Sequence, residues 1–395
     1  MSDWVTVSLN EIAFINPTEK LAKGTLATKI GMDNLQPFSK KVSAQIQENY
    51  NGGMKFRNGD TIVARITPCL ENGKTAYIDT LKDGEIGFGS TEYIVLRAKE
   101  GLSNSHFLYY FARSDTFRDV AIASMTGSSG RQRVQTEVVV NHTFELPTLP
   151  EQKAIASVLS SLDDKIDLLH RQNKTLEAMA ETLFRQWFIE EAKEDWEEKT
   201  IGDIFTIKGG GTPSTKEPSY WDGSIAWTSP RDLSTAKSLY MFSTERTITE
   251  LGLTKVSSGL LPVGTLLMSS RAPIGYLALT DIEVAVNQGY IAILKHDLYS
   301  NEFMYLWCKA NMELIKNSGN GSVFQEISKA SFRELPFVCP PESLLKRFNG
   351  YCINWFSKIK LNAKQIQTLE NLRDTLLPKL MSGEVRVQYQ TEEVA

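Results

Sequence analysis

An internal repeat is the feature that most constrains how this chain can fold. The nineteen residues that begin at Lys165 match the nineteen that begin at Lys358 at a constant offset of 193, and nine of these positions are identical. Shorter matches begin at Trp4 and Trp196, so the repeat reaches back towards the start of the chain. A period this long excludes solenoids and propellers, whose repeats are roughly 20 to 50 residues. We therefore expect two globular domains, each followed by a long helix.

Apolar residues at heptad spacing predict that both repeated segments are long helices. Steps of four and three residues from Ile155 reach ten positions, nine of them apolar, and the same steps from Phe348 reach ten positions, eight of them apolar. Such a sustained seam favours a coiled coil, and the alternative is an ordinary core-facing helix in each domain. Pro378 is expected to end or kink the second helix, because proline cannot donate the next backbone hydrogen bond.

Two polar residues in these seams predict how the helices pair. If the helices lie flush and antiparallel, Asn173 of the first seam faces Asn362 of the second. Two facing asparagines can hydrogen-bond and define the register, whereas one asparagine opposite an apolar residue lacks a partner. We therefore hypothesise an antiparallel pair with Asn173 against Asn362. This arrangement would place the two globular domains at opposite ends of a coil on the order of 50 Å long.

The globular domains combine short β-rich runs with one amphipathic helix each. Turn-forming residues separate the runs, which predicts strands at 60–66, 92–96, 264–268 and 289–294. Helices are expected around 105–113 and 301–311. The predicted fold class is mixed α/β, with two globular domains separated by an antiparallel coiled coil of two long helices, in a pseudo-twofold internal repeat. The predicted boundaries are 1–146 for the first domain, 147–195 for the first helix, 196–335 for the second domain, and 336–395 for the second helix with a short tail.

Composition narrows the class of protein further. The chain has 395 residues, is 42% hydrophobic and 23% charged, and contains no long apolar run and no signal peptide, so we expect a cytoplasmic protein without a membrane span. Its four cysteines and four histidines are scattered, which predicts buried free thiols and no metal site. A net charge of −4 argues against a protein that binds nucleic acid by bulk electrostatics alone.

Catalytic motifs are absent from the sequence. Asn16-Pro17-Thr18 lacks the second proline and the aromatic residue of an adenine methyltransferase site. Gly73-Lys74 resembles the end of a phosphate-binding loop, but Pro68 stands where that loop needs glycine. The chain is therefore expected to be non-catalytic. Two alternatives remain open, a coiled-coil scaffold and, less favoured, a nucleic-acid-modifying enzyme.

Several longer segments resemble the specificity subunit of type I restriction-modification systems. They are 146–155 (LPTLPEQKAI), 202–214 (GDIFTIKGGGTPS), 227–233 (WTSPRDL) and 375–385 (TLLPKLMSGEV), and the resemblance covers essentially the whole chain. The first domain departs from the pattern, because it lacks the glycine-rich Thr-Pro and the Trp-x-Ser-Pro segments. In addition, Glu342-Ser343 replaces the Glu-Gln found at 151–152.

The resemblance implies a function in DNA recognition. Each globular domain would read one half of an interrupted site in double-stranded DNA, and the coil length corresponds to roughly 14 base pairs between the two halves. The helices would dock two methylation subunits, which modify adenine N6, and two restriction subunits would join them. S-adenosylmethionine, ATP and Mg²⁺ would bind in those partners, with no cofactor in this chain. Residues 1–150 carry 16 basic and 16 acidic side chains, and residues 196–341 carry 13 and 15, so partners would supply part of the DNA affinity.

Polar and basic loop residues are the candidates for DNA contact, because arginine and lysine pair with guanine, and asparagine and glutamine pair with adenine. Any one of them could instead be ordinary solvated surface. In the first domain the candidates are Arg65, Lys74, Ser90, Thr91, Ser128, Ser129, Arg131, Gln132 and Arg133. In the second domain they are Lys208, Gly210, Gly211, Thr212, Ser214, Ser229, Arg231, Asp232, Ser269, Ser270, Arg271, Asn287, Gln288, Asn320, Ser322 and Gln325. Trp221 and Trp227 could stack on bases, but packing in the core is the favoured interpretation.

Overall fold

The chain folds into two compact units in a computed structural model that describes residues 4–320 and 325–388. The first unit contains the residues up to Leu168 and those from Ile366 onward, and the second unit contains Leu169–Gln365. Each unit therefore holds one globular domain and a part of each long helix. Mixed helix and sheet content in both units agrees with the predicted fold class.

Antiparallel pairing dominates the sheets of the first domain. A four-stranded sheet has the strand order Ala13–Ile15, Tyr93–Ala98, Thr61–Ala64 and Thr75–Tyr77. A second four-stranded sheet has the order Ile46–Asn49, Leu26–Ile30, Gly87–Gly89 and Lys55–Phe56. Val5–Ser8 pairs with Thr143–Leu146, so the start and the end of the domain meet in a two-stranded sheet.

Short helices complete the first domain. Asn104 caps the helix that was expected around 105–113, since its side-chain oxygen accepts a hydrogen bond from the backbone N–H of Phe107. Its apolar face packs into a core that includes Phe107, Tyr110 and Phe111, together with Ile155 of the first long helix. The helices are Leu9–Ile12, the 3-10 turn Met32–Asn34, Ser105–Arg113, Asp115–Ala123 and Thr136–Val140.

The second domain repeats this architecture. Its five-stranded sheet has the order Ile207–Lys208, Tyr290–Ile293, Leu266–Ser269, Leu277–Thr280 and Tyr240–Met241. Its first four strands follow the order of the corresponding sheet in the first domain. A three-stranded sheet has the order Arg246–Ile248, Trp221–Thr228 and Ala285–Val286, and Glu197–Thr200 pairs with Pro336–Cys339. The helices are Ile201–Ile204, the 3-10 turn Pro218–Tyr220, Pro230–Ser234, Glu250–Leu253, Asn301–Ala310, Met312–Asn317 and Lys329–Arg333.

Two long helices carry the heptad seams. The first long helix is Leu149–Arg185, followed by the π-helical turn Gln186–Glu190, and the second long helix is Glu342–Met381. Within the first unit, Asp163 of the first helix accepts a 2.7 Å hydrogen bond from Nη1 of Arg373. Within the second unit, the rings of Trp187 and Phe348 lie 6.2 Å apart. In each unit, residues late in one helix meet residues early in the other, so the pair is antiparallel.

Pro378 does not end the second long helix, so the first of the two expected outcomes, ending or kinking the helix, is wrong. The helix continues to Met381. Leu377, Leu380 and Met381 are all buried in the core of the first unit. We attribute the continuation to this burial, which offsets the loss of one backbone hydrogen bond at the proline.

The four cysteines differ in burial. Cys308 and Cys352 are buried free thiols, whereas Cys69 and Cys339 are half-buried, so the burial expected of free cysteines holds fully for only two of them.

Within residues 4–320 and 325–388, no helix is both long and apolar enough to span a membrane.

Candidate nucleic-acid interface

A hairpin loop in the first domain gathers several of the predicted DNA-contact residues. The ends of loop 126–133 are joined by hydrogen bonds between the backbones of Thr126 and Arg133, of 3.0 and 2.9 Å. The loop docks on the segment that follows a central strand, because the Thr67 backbone N–H donates to the Gln132 carbonyl at 3.0 Å. Ser128, Ser129 and Arg131 are exposed in this loop, where a duplex could reach them. The fold thus brings Arg65 and the 128–133 candidates together.

A glutamate that the sequence reasoning missed lies between two of these arginines. The carboxylate of Glu92 accepts hydrogen bonds from Arg133 Nε at 3.0 Å and from Arg133 Nη2 at 2.7 Å. Nε of Arg65 lies 3.8 Å from the same carboxylate. Hydrogen bonding from Arg133 is the main cause that lowers the pKa of Glu92. Nothing local in the sequence links Glu92 to residues so distant along the chain, so no pattern pointed to it.

The other candidates of the first domain are less closely grouped. Lys74 donates from Nζ to the carbonyl of Met32 at 3.0 Å and is half-buried, so its ammonium already has a backbone partner. The Ser90 hydroxyl accepts a hydrogen bond from the Glu92 backbone N–H at 3.0 Å. Thr91 is exposed. Ser90 and Thr91 thus immediately precede Glu92 and border the arginine pair.

The second domain has corresponding backbone contacts around Asn320 and Glu326. The backbones of Asn320 and Glu326 exchange hydrogen bonds of 2.9 and 3.0 Å, and the Ile327 N–H donates to the Ser270 carbonyl at 3.0 Å. Arg271 Nη1 lies 3.7 Å from the Glu326 carboxylate. Gln325, next to Glu326, is exposed, and the predicted contact Ser322 lies outside the described residues. In both domains, the residue that follows this backbone pair is therefore bonded to the segment after a central strand.

A second polar cluster in this domain joins two predicted segments. Asn287 Nδ2 donates to the Thr212 hydroxyl at 2.7 Å, and that hydroxyl donates to Gln288 Oε1 at 2.6 Å. Thr212 and Gln288 are exposed, and Asn287 is half-buried. Amide groups at a surface are suited to hydrogen-bond with base edges.

The glycine-rich loop packs closely on its own domain. A Cβ atom on Gly210 would lie 1.6 Å from the carbonyl oxygen of Val286, and one on Gly211 would lie 3.0 Å from that of Lys255. A side chain at Gly210 would therefore collide with the backbone of Val286. These contacts join residues far apart in sequence, so the local sequence does not reveal them.

Three further candidates of the second domain are buried or bonded within their own domain. Ser269 is 0% exposed and its hydroxyl donates to the Pro273 carbonyl at 2.8 Å. Ser270 is buried as well. Asp232 is half-buried and accepts hydrogen bonds from the backbone N–H of Ser229 at 2.9 Å and from the Thr228 hydroxyl, and so caps a short helix. Ser269 and Ser270 therefore lie beneath the surface, whereas Asp232 lies at its edge.

Two buried tryptophans support the loop that contains Gly211 and Ser214. The indole N–H of Trp221 donates to the Ser214 carbonyl and that of Trp227 to the Gly211 carbonyl, each at 3.1 Å. Both rings are buried and meet edge to face with centroids 5.1 Å apart. Their packing interpretation is therefore confirmed. Other predicted residues of this region are exposed, namely Lys208, Ser214 and Arg231.

The two long helices carry a polar contact within the second unit. Asn362 Nδ2 donates to Asn173 Oδ1 at 2.9 Å, and Asn362 is 0% exposed. Gln172 Oε1 accepts a longer contact of 3.4 Å from the same amide. The contact lies where an antiparallel alignment of the two seams places it.

Each unit also has a pocket where a short helix meets the later part of a long helix. In the first unit, a pocket of about 220 Å³ is lined by Arg113 and Asp374, whose side chains are 2.9 Å apart. In the second unit, a pocket of about 360 Å³ is lined by Lys309 and Glu181, which form an ion pair. Glu181 and Asp374 are separated by the repeat offset of 193, and so are other lining residues, Phe184 with Leu377 and Arg185 with Pro378. The repeat thus preserves the location of a pocket.

Comparison with known proteins places the chain in a family. A family model described as the type I restriction modification DNA specificity domain matches residues 1–178 and again 193–371. The type I restriction enzyme MjaIX specificity subunit of Methanocaldococcus jannaschii is 37% identical over 166 residues, which are 41% of this chain and 38% of that protein. The HindI specificity subunit of Haemophilus influenzae is 20% identical over 406 residues, covering 84% of this chain and 87% of that protein.

A solved structure agrees in fold. The crystal structure of a type I restriction-modification system S subunit from M. genitalium aligns with a TM-score of 0.58 at 18% identity, covering 99% of this chain and 97% of that one. Because the family model matches both repeats, this chain belongs to the family of DNA specificity subunits of type I restriction-modification systems.

Proposed function

We propose that this chain is the non-catalytic, sequence-reading subunit of a type I restriction-modification complex, and that each globular domain reads one half of an interrupted site in double-stranded DNA. The observation that carries the proposal is a pair of repeated contacts: Thr126 and Arg133 exchange backbone hydrogen bonds in the first domain, as Asn320 and Glu326 do in the second, and in each domain the next residue donates to the segment after a central strand. Corresponding contacts that hold different side chains suit two half-sites of different sequence.

The side chains of the two loops support distinct half-sites. In the first domain, Arg65 and Arg133 lie beside one carboxylate, Glu92, and Arg131 is exposed nearby in the loop. At the position of Arg133, the second domain has Glu326, which pairs with Arg271. Opposite charges at corresponding positions would favour different bases and different phosphate contacts.

The long helices and the repeated pockets support docking of two methylation subunits. A partner that recognises the pocket at Arg113 and Asp374 would find a similar one at Lys309 and Glu181, so one chain can hold two copies of the same partner. We infer that restriction subunits join through the methylation subunits, and that S-adenosylmethionine, ATP and Mg²⁺ bind in those partners. The whole assembly is proposed to act on adenine N6 in the cytoplasm.

The test is to co-express the chain with its methylation subunit in a host without DNA methylation and to map modified bases by single-molecule sequencing. We expect an interrupted motif with one modified adenine in each half. A chimera that exchanges residues 1–146 for those of another family member should change only one half of the motif. A stable complex without any motif would contradict DNA reading and favour the coiled-coil scaffold, and turnover by the isolated chain would favour the enzyme alternative.

A further inference from the structure

A carboxylate in the first domain accepts hydrogen bonds from Arg133 that a phosphate oxygen could also accept. Glu92 receives two N–H groups of that guanidinium, Nε at 3.0 Å and Nη2 at 2.7 Å. Carboxylate and phosphate both accept such paired hydrogen bonds from arginine, and the geometry is the same for each. Glu92 and a phosphate are therefore mutually exclusive partners of the same donors.

The second arginine of this group is only partly satisfied. Arg65 Nε is buried, has no hydrogen-bond acceptor among the described residues, and lies 3.8 Å from the Glu92 carboxylate. One carboxylate thus faces two guanidinium groups, and the group keeps an excess of positive charge. An anion that approached it would meet attraction from Arg65 and competition from Glu92.

The loop does not need the Glu92 side chain in order to dock. Backbone hydrogen bonds join Thr126 to Arg133, Thr67 to Gln132, and Val134 to Arg65, at distances of 2.9 to 3.0 Å. The Glu92 side chain is 23% exposed, so solvent and ligands can reach it. The Arg133 side chain is 45% exposed, so an anion in solvent can approach its guanidinium while it is paired with Glu92.

We propose that Glu92 is a specificity-determining residue that competes with DNA phosphates for Arg133. On random DNA the arginine stays with Glu92, since a phosphate contact alone gains little over the existing ion pair. On the recognised half-site, base contacts from loop 126–133 supply the additional affinity that transfers Arg133 to the backbone. The inference rests on the proposed DNA-reading function and adds a way of suppressing non-specific binding, which is the electrostatic part of affinity.

The experiment uses the full chain in complex with its methylation subunits and a fluorescent duplex of random sequence. Glu92→Gln should bind this duplex several-fold more tightly than the natural protein at low salt. The slope of log affinity against log salt concentration should steepen by about one, because one more phosphate is neutralised. The difference between the affinities for the recognised site and for random DNA should shrink accordingly.

Glu48→Gln is the matched control. Glu48 forms an ion pair with Lys29 at 2.8 Å in a different sheet of the same domain, so this variant changes the net charge equally. Its affinity for random DNA should stay within about twofold, since long-range charge effects are screened at moderate salt.

A double-mutant cycle with Arg133→Gln separates competition from a general charge effect. If Glu92 acts through Arg133, most of the gain from Glu92→Gln should disappear in the Arg133→Gln background. An undiminished gain there, or an equal gain from Glu48→Gln, would overturn the proposal, as would weaker binding of random DNA by a Glu92→Gln protein with unchanged melting temperature. Failure of DNA reading itself would appear separately, as the absence of any methylated motif with the natural protein.

Discussion

The side-chain amide of Asn362 donates a 2.9 Å hydrogen bond to Oδ1 of Asn173, on the opposite helix of the second unit. Asn362 is fully buried, and its own Oδ1 has no hydrogen-bond donor among the described residues. A buried amide that is only partly satisfied costs stability, so its value to the coil lies in the register that it selects. Heptad spacing alone permits helices to slip by whole repeats.

Replacing both asparagines by leucine is expected to raise the thermal stability of the chain and to loosen the register of the coil. Asn173→Leu alone should destabilise the protein by about 1 to 3 kcal/mol, because it leaves the Asn362 amide without its best partner. Calorimetry measures the first effect, and cross-linking between cysteines introduced along the two helices measures the second. Asn354→Leu, at an exposed position of the same helix, is the control and should change neither. An unchanged register in the double variant would contradict the role assigned to the pair.

A buried ion pair in the first unit is expected to contribute strongly to stability. The side chains of Asp163 and Arg373 are only 5% and 4% exposed, and they lie 2.7 Å apart. Asp163→Ala should lower the free energy of unfolding by about 3 to 5 kcal/mol, because it leaves a buried guanidinium with less compensation. Urea unfolding monitored by circular dichroism measures this loss. Glu342→Ala, which removes an exposed ion pair with Lys346, should cost less than about 1 kcal/mol. Similar losses for the two variants would refute the prediction.

His106 is expected to make the first unit less stable in mild acid. Burial, and next the charge of Lys40, lowers the pKa of His106, whose ring stacks on Tyr77 with centroids 4.2 Å apart. A histidine with a lowered pKa in the folded state favours folding while neutral, so this contribution declines as the pH falls below about 6.5. The unfolding midpoint of the natural protein should therefore fall relative to that of His106→Phe as the pH is lowered from neutral. A difference that is independent of pH would show that the histidine does not titrate in this range.

Filling one of the repeated pockets is expected to remove one partner subunit. Ala310 lines the pocket of the second unit and Asp115 lines that of the first, and both residues are exposed, so a tryptophan can be introduced without disturbing a core. Ala310→Trp and Asp115→Trp should each shift the complex from two methylation subunits to one, and the double variant should bind neither. Native mass spectrometry reports the stoichiometry. Leu251→Trp, at an exposed position outside both pockets, is the control. Two bound subunits in every variant would exclude these pockets as docking surfaces.

The helices are the elements that the sequence predicts best, because the spacing of their apolar residues is a local pattern. The heptad steps from Ile155 and Phe348 predict two long helices, and the structure has them at Leu149–Arg185 and Glu342–Met381. The expected short helices around 105–113 and 301–311 are also present. Such patterns report which face of an element is buried, and burial of that face is what stabilises the element.

The residues of the candidate interface are harder to predict from the sequence. Loop composition pointed to the Arg131 region and to Thr212, Asn287 and Gln288, which the fold keeps at or near the surface. It also pointed to Ser269, which is buried, and to Gly210, which packs closely against the backbone of Val286. A serine or glycine beside a strand has the same local signature whether its surroundings are solvent or another strand.

Spacings along the chain are enough to predict the repeat, the helical seams and the antiparallel order of the two long helices. Three other features depend on the tertiary structure. Glu92 lies between Arg65 and Arg133, Gly210 packs against Val286, and the second helix continues through Pro378. Each of these depends on groups far apart in sequence, or on burial large enough to override a local preference. Long-range contacts carry no spacing rule, so they become visible only when the chain is folded.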